Sequence, residues 1–192
     1  PDVLISASAV GYYGDRADEV LTEDSASGND FLAQVCRDWE KETDRAAGLG
    51  LNVIKIRSGV VLGPGGGALK KMLLPFRLGL GGPQGSGQQW MSWIHLDDLV
   101  NLYIYAAESQ VEGVLNGTAP NPVRNREFAH TLAEVLNRPS FLSTPEFLLN
   151  AMLGEMSSVL LSSQRVIPEN TEKQGFQFQY PELKQALQAI NL

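Results

Sequence analysis

The sequence predicts an α/β fold up to about residue 118 and a mostly helical lobe from 119 to 192. Three observations carry that expectation. Short β-branched or apolar runs at Val3–Ala7, Val53–Arg57 and Val111–Asn116 have the length of strands, not helices. Stretches with apolar residues at helical spacing lie between them, the alternation expected of a helix-covered sheet. Beyond residue 118 helical patterns dominate.

At 192 residues, 43% apolar and 19% charged, the chain can bury one substantial core with a small appended lobe. Fifteen basic against 22 acidic side chains leave a formal charge of −7. That argues against a sequence-independent grip on nucleic-acid phosphates, so no nucleic acid partner is expected. No apolar run approaches the roughly 20 residues that span a bilayer, so no membrane partner is expected either. The single cysteine, Cys36, excludes an internal disulfide and fits a reducing compartment.

Taken in order, the first strand, expected to be wholly buried, runs into Ser8-Ala9-Val10-Gly11-Tyr12-Tyr13-Gly14-Asp15. Small hydroxyl residues at the carboxyl end of such a strand lie where open α/β sheets bind ligands. The plainer alternative is that Ser6 and Ser8 satisfy nearby backbone groups. Residues 15–28 are polar and turn-like. From Asn29 to Ala47 a helix is predicted, with Phe31, Leu32, Val35, Cys36 and Trp39 in one apolar stripe. Asn29 or Asp30 would cap it and Gly48 end it. Inside that stripe Cys36 is expected to be a buried, inert thiol.

The stretch from Asn52 to Leu99 is the most informative. A strand, Gly59-Val60-Val61-Leu62-Gly63-Pro64 with three more glycines, a basic amphipathic piece, a second glycine-rich loop and a strand entering a helix follow one another. Such glycine density predicts a ligand site on loops above a sheet. A helix from Asp97 or Asp98 to Glu108 should turn Leu99, Val100, Tyr103, Ile104 and Ala107 inward. Another runs from about Arg126 to Asn137, capped by Asn125, with Phe128, Leu132, Val135 and Leu136 on its apolar side. Thr144-Pro145-Glu146 opens a helix, Phe147–Leu153, apolar enough that it should be covered. Short extended or loop pieces follow at 163–168 and 176–181, with small helices starting at Pro168 and Pro181.

Several chemical signatures fail. Residues 63–68 formally fit a G-x-G-x-x-A dinucleotide turn, but the acidic residue expected roughly 20 positions on is replaced by glycine-rich loop. His95 and His130 are far apart and lack a spaced carboxylate, so no metal site is expected. Ser8, His95 and Asp97 offer hydrolase residue types without the G-x-S-x-G elbow. His95 either fixes the start of its helix or acts in catalysis; Asp97 and Asp98 are explained by capping and the helix dipole. Arg57, ending an apolar strand, needs a partner, either a structural carboxylate or a bound anion. Of Trp90 and Trp93, one is expected to pack and the other to line a pocket.

The run Ser8–Asp15 resembles the S-S-x-x-V-Y-G turn of extended short-chain dehydrogenase/reductases. Arg57-Ser58-Gly59-Val60-Val61-Leu62-Gly63-Pro64 and Trp93-Ile94-His95-Leu96-Asp97-Asp98 are similar to their R-x-x-x-V-x-G-P and F-I-H-V-D-D blocks. With Pro75–Gly82, Gly154-Glu155-Met156 and Ser163-Gln164-Arg165-Val166, the wording resembles one atypical subgroup. Its members are the nucleoside-diphosphate-sugar epimerase family proteins that carry a C-terminal domain of unknown function. The resemblance covers essentially all of the chain. It implies the C-terminal part of a Rossmann-like doubly wound sheet with a mostly helical, substrate-side lobe. It also implies that the glycine-rich N-terminal half, roughly the first 100 residues of such a domain, is missing; Pro1 is not a natural start, which fits a processed or truncated end.

Under the resemblance, Ser8 matches the active-site serine, Gly59, Val60 and Val61 the backbone passing a nicotinamide, and Gly82, Gln89, Trp90 and His95 the substrate-side wall. Arg57 matches a structural position. The Tyr-x-x-x-Lys pair of these enzymes is absent: Phe31–Cys36 and Trp39-Glu40 stand in the helix that should carry it. Tyr12 or Tyr13 would substitute only if its loop swung over Ser8. The implied function is an NAD(P)-binding, epimerase-like protein for a nucleotide sugar. NADP or NAD is the implied cofactor, poorly held by this stretch alone, and the implied location is the cytoplasm or plastid stroma. The alternative is a non-catalytic nucleotide-binding protein whose surface binds partners, linked through labelled relatives to cell or plastid division. An exposed sheet edge is expected to promote association.

Overall fold

The computed structural model describes residues 2–154, 157–190 and 192, so Glu155 and Met156 of the Gly154-Glu155-Met156 run lie outside the described residues. In chain order the first elements are β1 (Val3–Ala9), β2 (Val20–Leu21), α1 (Phe31–Asp44), β3 (Asn52–Ser58), β4 (Val60–Leu62) and α2 (Gly67–Arg77). Then come β5 (Trp90–Met91), β6 (Trp93–His95), α3 (Leu96–Glu108), β7 (Gly113–Gly117), β8 (Val123–Arg124) and α4 (Asn125–Val135). The chain finishes with α5 (Glu146–Leu153), α6 (Ser157–Leu161), β9 (Arg165–Val166), α7 (Glu169–Lys173) and α8 (Leu183–Ala189).

The centre is a parallel sheet in the order β1-β3-β7. Side chains alternate across a strand with period two, which gives this sheet two chemically different faces. Ser6 and Ser8 of β1 share a face with their partners Lys55 and Arg57 of β3, and α1 covers it. The contacts there are polar: Ser6 to Thr43 at 3.0 Å, Lys55 to Asp44 at 2.7 Å, and Ser8 and Arg57 to Glu40. On the opposite face Ile54 and Ile56 pack with Leu102 and Ala106 of α3, Leu115 of β7 and Phe176. Helices on both faces of a parallel sheet make this the Rossmann-like α/β fold that was expected. A second core joins Leu62, Trp93, Phe128, Leu132, Leu183 and Leu187, so α4 and α8 pack against the β4–β6 pair.

Four expectations about burial are corrected. Strand β1 is an edge with β3 as its neighbour among the described strands, and Leu4, Ala7 and Ala9 are exposed. The stripe on α1 faces outward: Phe31 is 78% and Trp39 57% exposed, while Ala33, Glu40 and Thr43 are buried. The reason is that Glu40 meets Arg57, which turns the polar row of the helix toward the sheet. Asp30 caps α1 by accepting from the Ala33 N–H at 2.9 Å, and the helix gives way to a 3₁₀ turn, Arg45–Leu49, that ends on left-handed Gly50. Helix α3 buries Asp98, Leu102 and Ala106, whereas Val100, Ile104 and Ala107 point outward. In α5 Phe147 and Leu148 are exposed and Leu149 is buried.

Candidate functional site

Parallel strands all end on the same side, so the carboxyl ends of β1, β3 and β7 lie together, with Ala9 opposite Ser58 and Ser58 opposite Gly117. Behind this edge stands a buried polar network. Arg57 donates Nε–H to Glu40 Oε1 and Nη2–H to Glu40 Oε2, each at 2.8 Å, a two-pronged clasp in which both residues are almost fully buried. Its Nη1 reaches the Tyr13 hydroxyl at 3.0 Å and the Glu23 carbonyl at 3.3 Å. The guanidinium carbon lies 3.4 Å from the centre of the Tyr12 ring. Burial alone would lower the Arg57 pKa, but Glu40 and Tyr13 hold the guanidinium charged and above its ordinary value.

Ser8 donates its hydroxyl hydrogen to Glu40 Oε1 at 2.7 Å. Tyr13 is fully buried and donates to Asn116 Oδ1 at 2.7 Å. Burial pushes its phenol up to about 12, against the pull of Arg57, the opposite of what proton transfer near neutrality asks of a tyrosine. Tyr12 lies under Arg57. Cys36 is half-buried, and burial pushes its thiol up while the Ala9 backbone acts in the other direction. Beyond the network, Glu23 accepts from the N–H of Asn116, Asn170 and Thr171 and from the Thr171 hydroxyl, all within 2.9–3.2 Å.

The glycine loops occupy the same edge. Gly59 donates to the Gly117 carbonyl at 3.0 Å, and a Cβ at Gly59 would stand 2.6 Å from the Ser92 carbonyl oxygen and 3.0 Å from Thr118. No side chain fits there. Val60 and Val61 continue as β4, paired with Trp93 and Ile94. A Cβ at Gly82 would stand 2.0 Å from the Leu142 carbonyl oxygen, so this glycine seats the second loop against the helical lobe. Gln89 is buried and donates through its amide to the carbonyls of Gln84 and Leu160. Trp90 lies beneath two guanidiniums, with Arg124 4.3 Å and Arg165 4.5 Å from the ring centre. Its N–H donates to Asp18 at 2.9 Å, and that bond, with Arg124 at 2.7 Å, holds the Asp18 carboxyl below its usual range. His95 is buried; its Nδ1 accepts from the Asp97 N–H at 3.1 Å, its Nε2 has no partner among the described residues, and its ring lies 4.1 Å from that of Tyr180.

The structure therefore brings Ser8, Tyr12, Tyr13 and Arg57 together and sets Gln89 beside Trp90. Glu40, Asn116 and the pair Arg124 and Arg165 were not anticipated. For Glu40 a signal existed, its spacing four residues after Cys36, which puts both on one helix face.

A parallel sheet with helices on both faces and glycine-rich loops at its carboxyl edge defines the Rossmann-like class. The chain belongs to the NAD dependent epimerase/dehydratase family, which matches residues 1–118, and residues 144–190 match the Domain of unknown function (DUF1731). It is 53% identical to a chloroplastic epimerase family protein of Arabidopsis thaliana over 99% of this chain and 55% of that protein. The human epimerase family protein whose crystal structure was solved with NADPH is 42% identical, with a TM-score of 0.92, over 99% of this chain and 65% of that one. A nucleoside-diphosphate sugar epimerase from Corynebacterium glutamicum is 39% identical, with a TM-score of 0.79, over 97% of this chain and 36% of that one. The chain thus spans less than two thirds of each of these relatives.

Proposed function

We propose that this chain is the ligand-facing part of an NAD(P)-binding, epimerase-like protein that acts on a nucleotide sugar. The observation that carries the reading is the carboxyl edge of the parallel sheet, where Ser8 at the end of β1 and the Ser58-Gly59 turn at the end of β3 lie on the same side. Ligands of open α/β sheets bind at this edge, where a nicotinamide ring, which supplies or accepts hydride when bound, would sit. Ser8, Gly59, Val60 and Val61 would hold it. The human relative was crystallised with NADPH, which favours NADP over NAD. On the substrate side, Arg124 and Arg165 stacked on Trp90 offer positive charge suited to a nucleotide diphosphate, with Arg124 shared with Asp18, near the loop from Gly82 to Gln89. Under this reading the protein works in the cytoplasm or, as its chloroplastic relative favours, the plastid stroma.

One observation favours the second reading, a non-catalytic nucleotide-binding protein that binds partners. Tyr13 is locked in the core, and Cys36 and Glu40 occupy the helix face turned to Ser8, so neither Tyr13 nor that face offers a phenol or ammonium to move a proton. Partners would meet the outward apolar rows of α1 and α3.

Calorimetric titration of NADPH and NADH decides between them, using this chain and a version extended to the length of its relatives. Binding followed by turnover on a panel of nucleotide sugars supports the enzyme. Tight binding without turnover supports the second reading, and no binding to either version removes the cofactor from both.

A further inference from the structure

Ser8 carries one hydroxyl hydrogen, and that hydrogen lies on Glu40 Oε1. Glu40 is ionised, because both of its oxygens accept from Arg57, and a carboxylate has no hydrogen to give back. Arg57 is 3% and Glu40 6% exposed, so water does not replace a lost donor, and turning the Ser8 hydrogen elsewhere leaves a buried oxygen short of one. The Ser8 oxygen is thereby left with lone pairs alone for anything that approaches. The Cys36 thiol, one helical turn before Glu40, reaches the same hydroxyl. The charged groups facing that thiol are Glu40 on its own helix and Arg57 on β3.

We propose that Glu40 is the positioning residue of this site: it fixes Ser8 as an acceptor, so the carboxyl end of β1 selects a ligand group that brings its own hydrogen, a hydroxyl or an amide N–H, over a bare carbonyl oxygen. The presence of a ligand at this edge rests on the function proposed above. The direction of the Ser8 hydrogen bond does not, and it is read on the ligand-free protein.

Cys36 is the only cysteine, so its alkylation by iodoacetamide across pH reports the sulfur directly. A hydroxyl that donated to the sulfur would stabilise the thiolate. With its hydrogen held by Glu40, Ser8→Ala leaves the alkylation rate at neutral pH within about twofold and the pH midpoint within about 0.3 unit. Replacing the clasped pair together, Glu40→Leu with Arg57→Met, removes both charges and frees the Ser8 hydrogen. In that background Ser8→Ala slows alkylation about tenfold, a midpoint raised by about one unit. A tenfold slowing by Ser8→Ala in the native background overturns the proposal, and that single variant decides the matter if the double one does not fold. A second measurement tests the selectivity. NADP⁺, whose carboxamide carries N–H, should bind at least about tenfold more tightly than its 3-acetylpyridine analogue, which has only a carbonyl there. Equal binding of the two overturns the selectivity, whereas binding of neither counts against the cofactor reading and leaves the alkylation result standing.

Discussion

Glu40→Ala strips three donors of their acceptor at once: the part-buried Ser8 hydroxyl and the buried Nε–H and Nη2–H of Arg57. The guanidinium stays behind, charged and 3% exposed. Removing one partner of a buried pair typically costs about 3–5 kcal/mol, because the remaining charge is uncompensated. For a chain of this size each kcal/mol lowers Tm by roughly 2–4 °C, so a fall of about 6–20 °C is expected in thermal unfolding followed by circular dichroism. Glu40→Leu with Arg57→Met, which leaves no orphaned charge, should recover most of that loss. The pH dependence has a definite sign. Burial alone would raise the Glu40 pKa, but Arg57 and Ser8 more than offset it and hold the carboxyl below its ordinary value. The folded state then binds this proton less readily than the unfolded state. Its contribution is complete above the unfolded pKa of about 4.3 and is lost as pH falls through the folded value. The deficit of Glu40→Ala should therefore shrink below about pH 4. A loss under about 1 kcal/mol at pH 7, or a deficit that does not shrink in acid, would refute the reasoning.

Tyr13→Phe removes the donor to Asn116 and an acceptor of Arg57, and should cost about 1–3 kcal/mol in urea unfolding. With its phenol raised to about 12, the intact Tyr13 contributes stability that is full below pH 10 and fades between 10 and 12; absorbance titration should show that phenol ionising only as the fold is lost. Asp98 is fully buried and accepts from the Gln179 and Tyr180 N–H groups at 2.8 and 2.9 Å. Asp98→Ala should cost about 2–4 kcal/mol and release residues 176–181, seen as faster amide exchange there. Gly59→Ala drives a methyl into the Ser92 carbonyl and should cost about 1–3 kcal/mol, with the fluorescence of Trp93 reporting a disturbed β4–β6 pair.

The strands of the central sheet, the turn after β1 and the cap of α1 were legible because each is a local pattern: an apolar run, small residues, an acid placed before a helix. The glycine-rich edge was legible for the same reason. Which face of a helix meets the protein was not. Phe31, Val35 and Trp39 have the spacing of a core stripe, yet the strength of the Glu40–Arg57 contact turns α1 the other way. A carboxylate in an amphipathic helix reads as solvent-facing until its partner 17 positions later is known to lie opposite. The pairs β2–β9 and β5–β8 are two residues long and join distant segments, so no periodicity announces them. Tyr13 illustrates the same limit: its loop reads as a site, but the hydroxyl is claimed by Asn116, 103 positions away.

Glu23 has a consequence for when this protein can finish folding. Of its four donors one comes from residue 116 and three from residues 170 and 171, and β2 just ahead of it pairs with residues 165–166. During synthesis the three central strands leave the ribosome well before those partners do. Until they arrive, the segment around Glu23 stays hydrated and unzipped, and this seam closes only after residues 165–171 have been made. Such long-range closure is slow, since loop entropy must be overcome before the contacts form. A nascent chain stopped at residue 160 should be cut readily by protease within residues 15–28, and equal resistance in stopped and finished chains would show that this seam closes without its distant half.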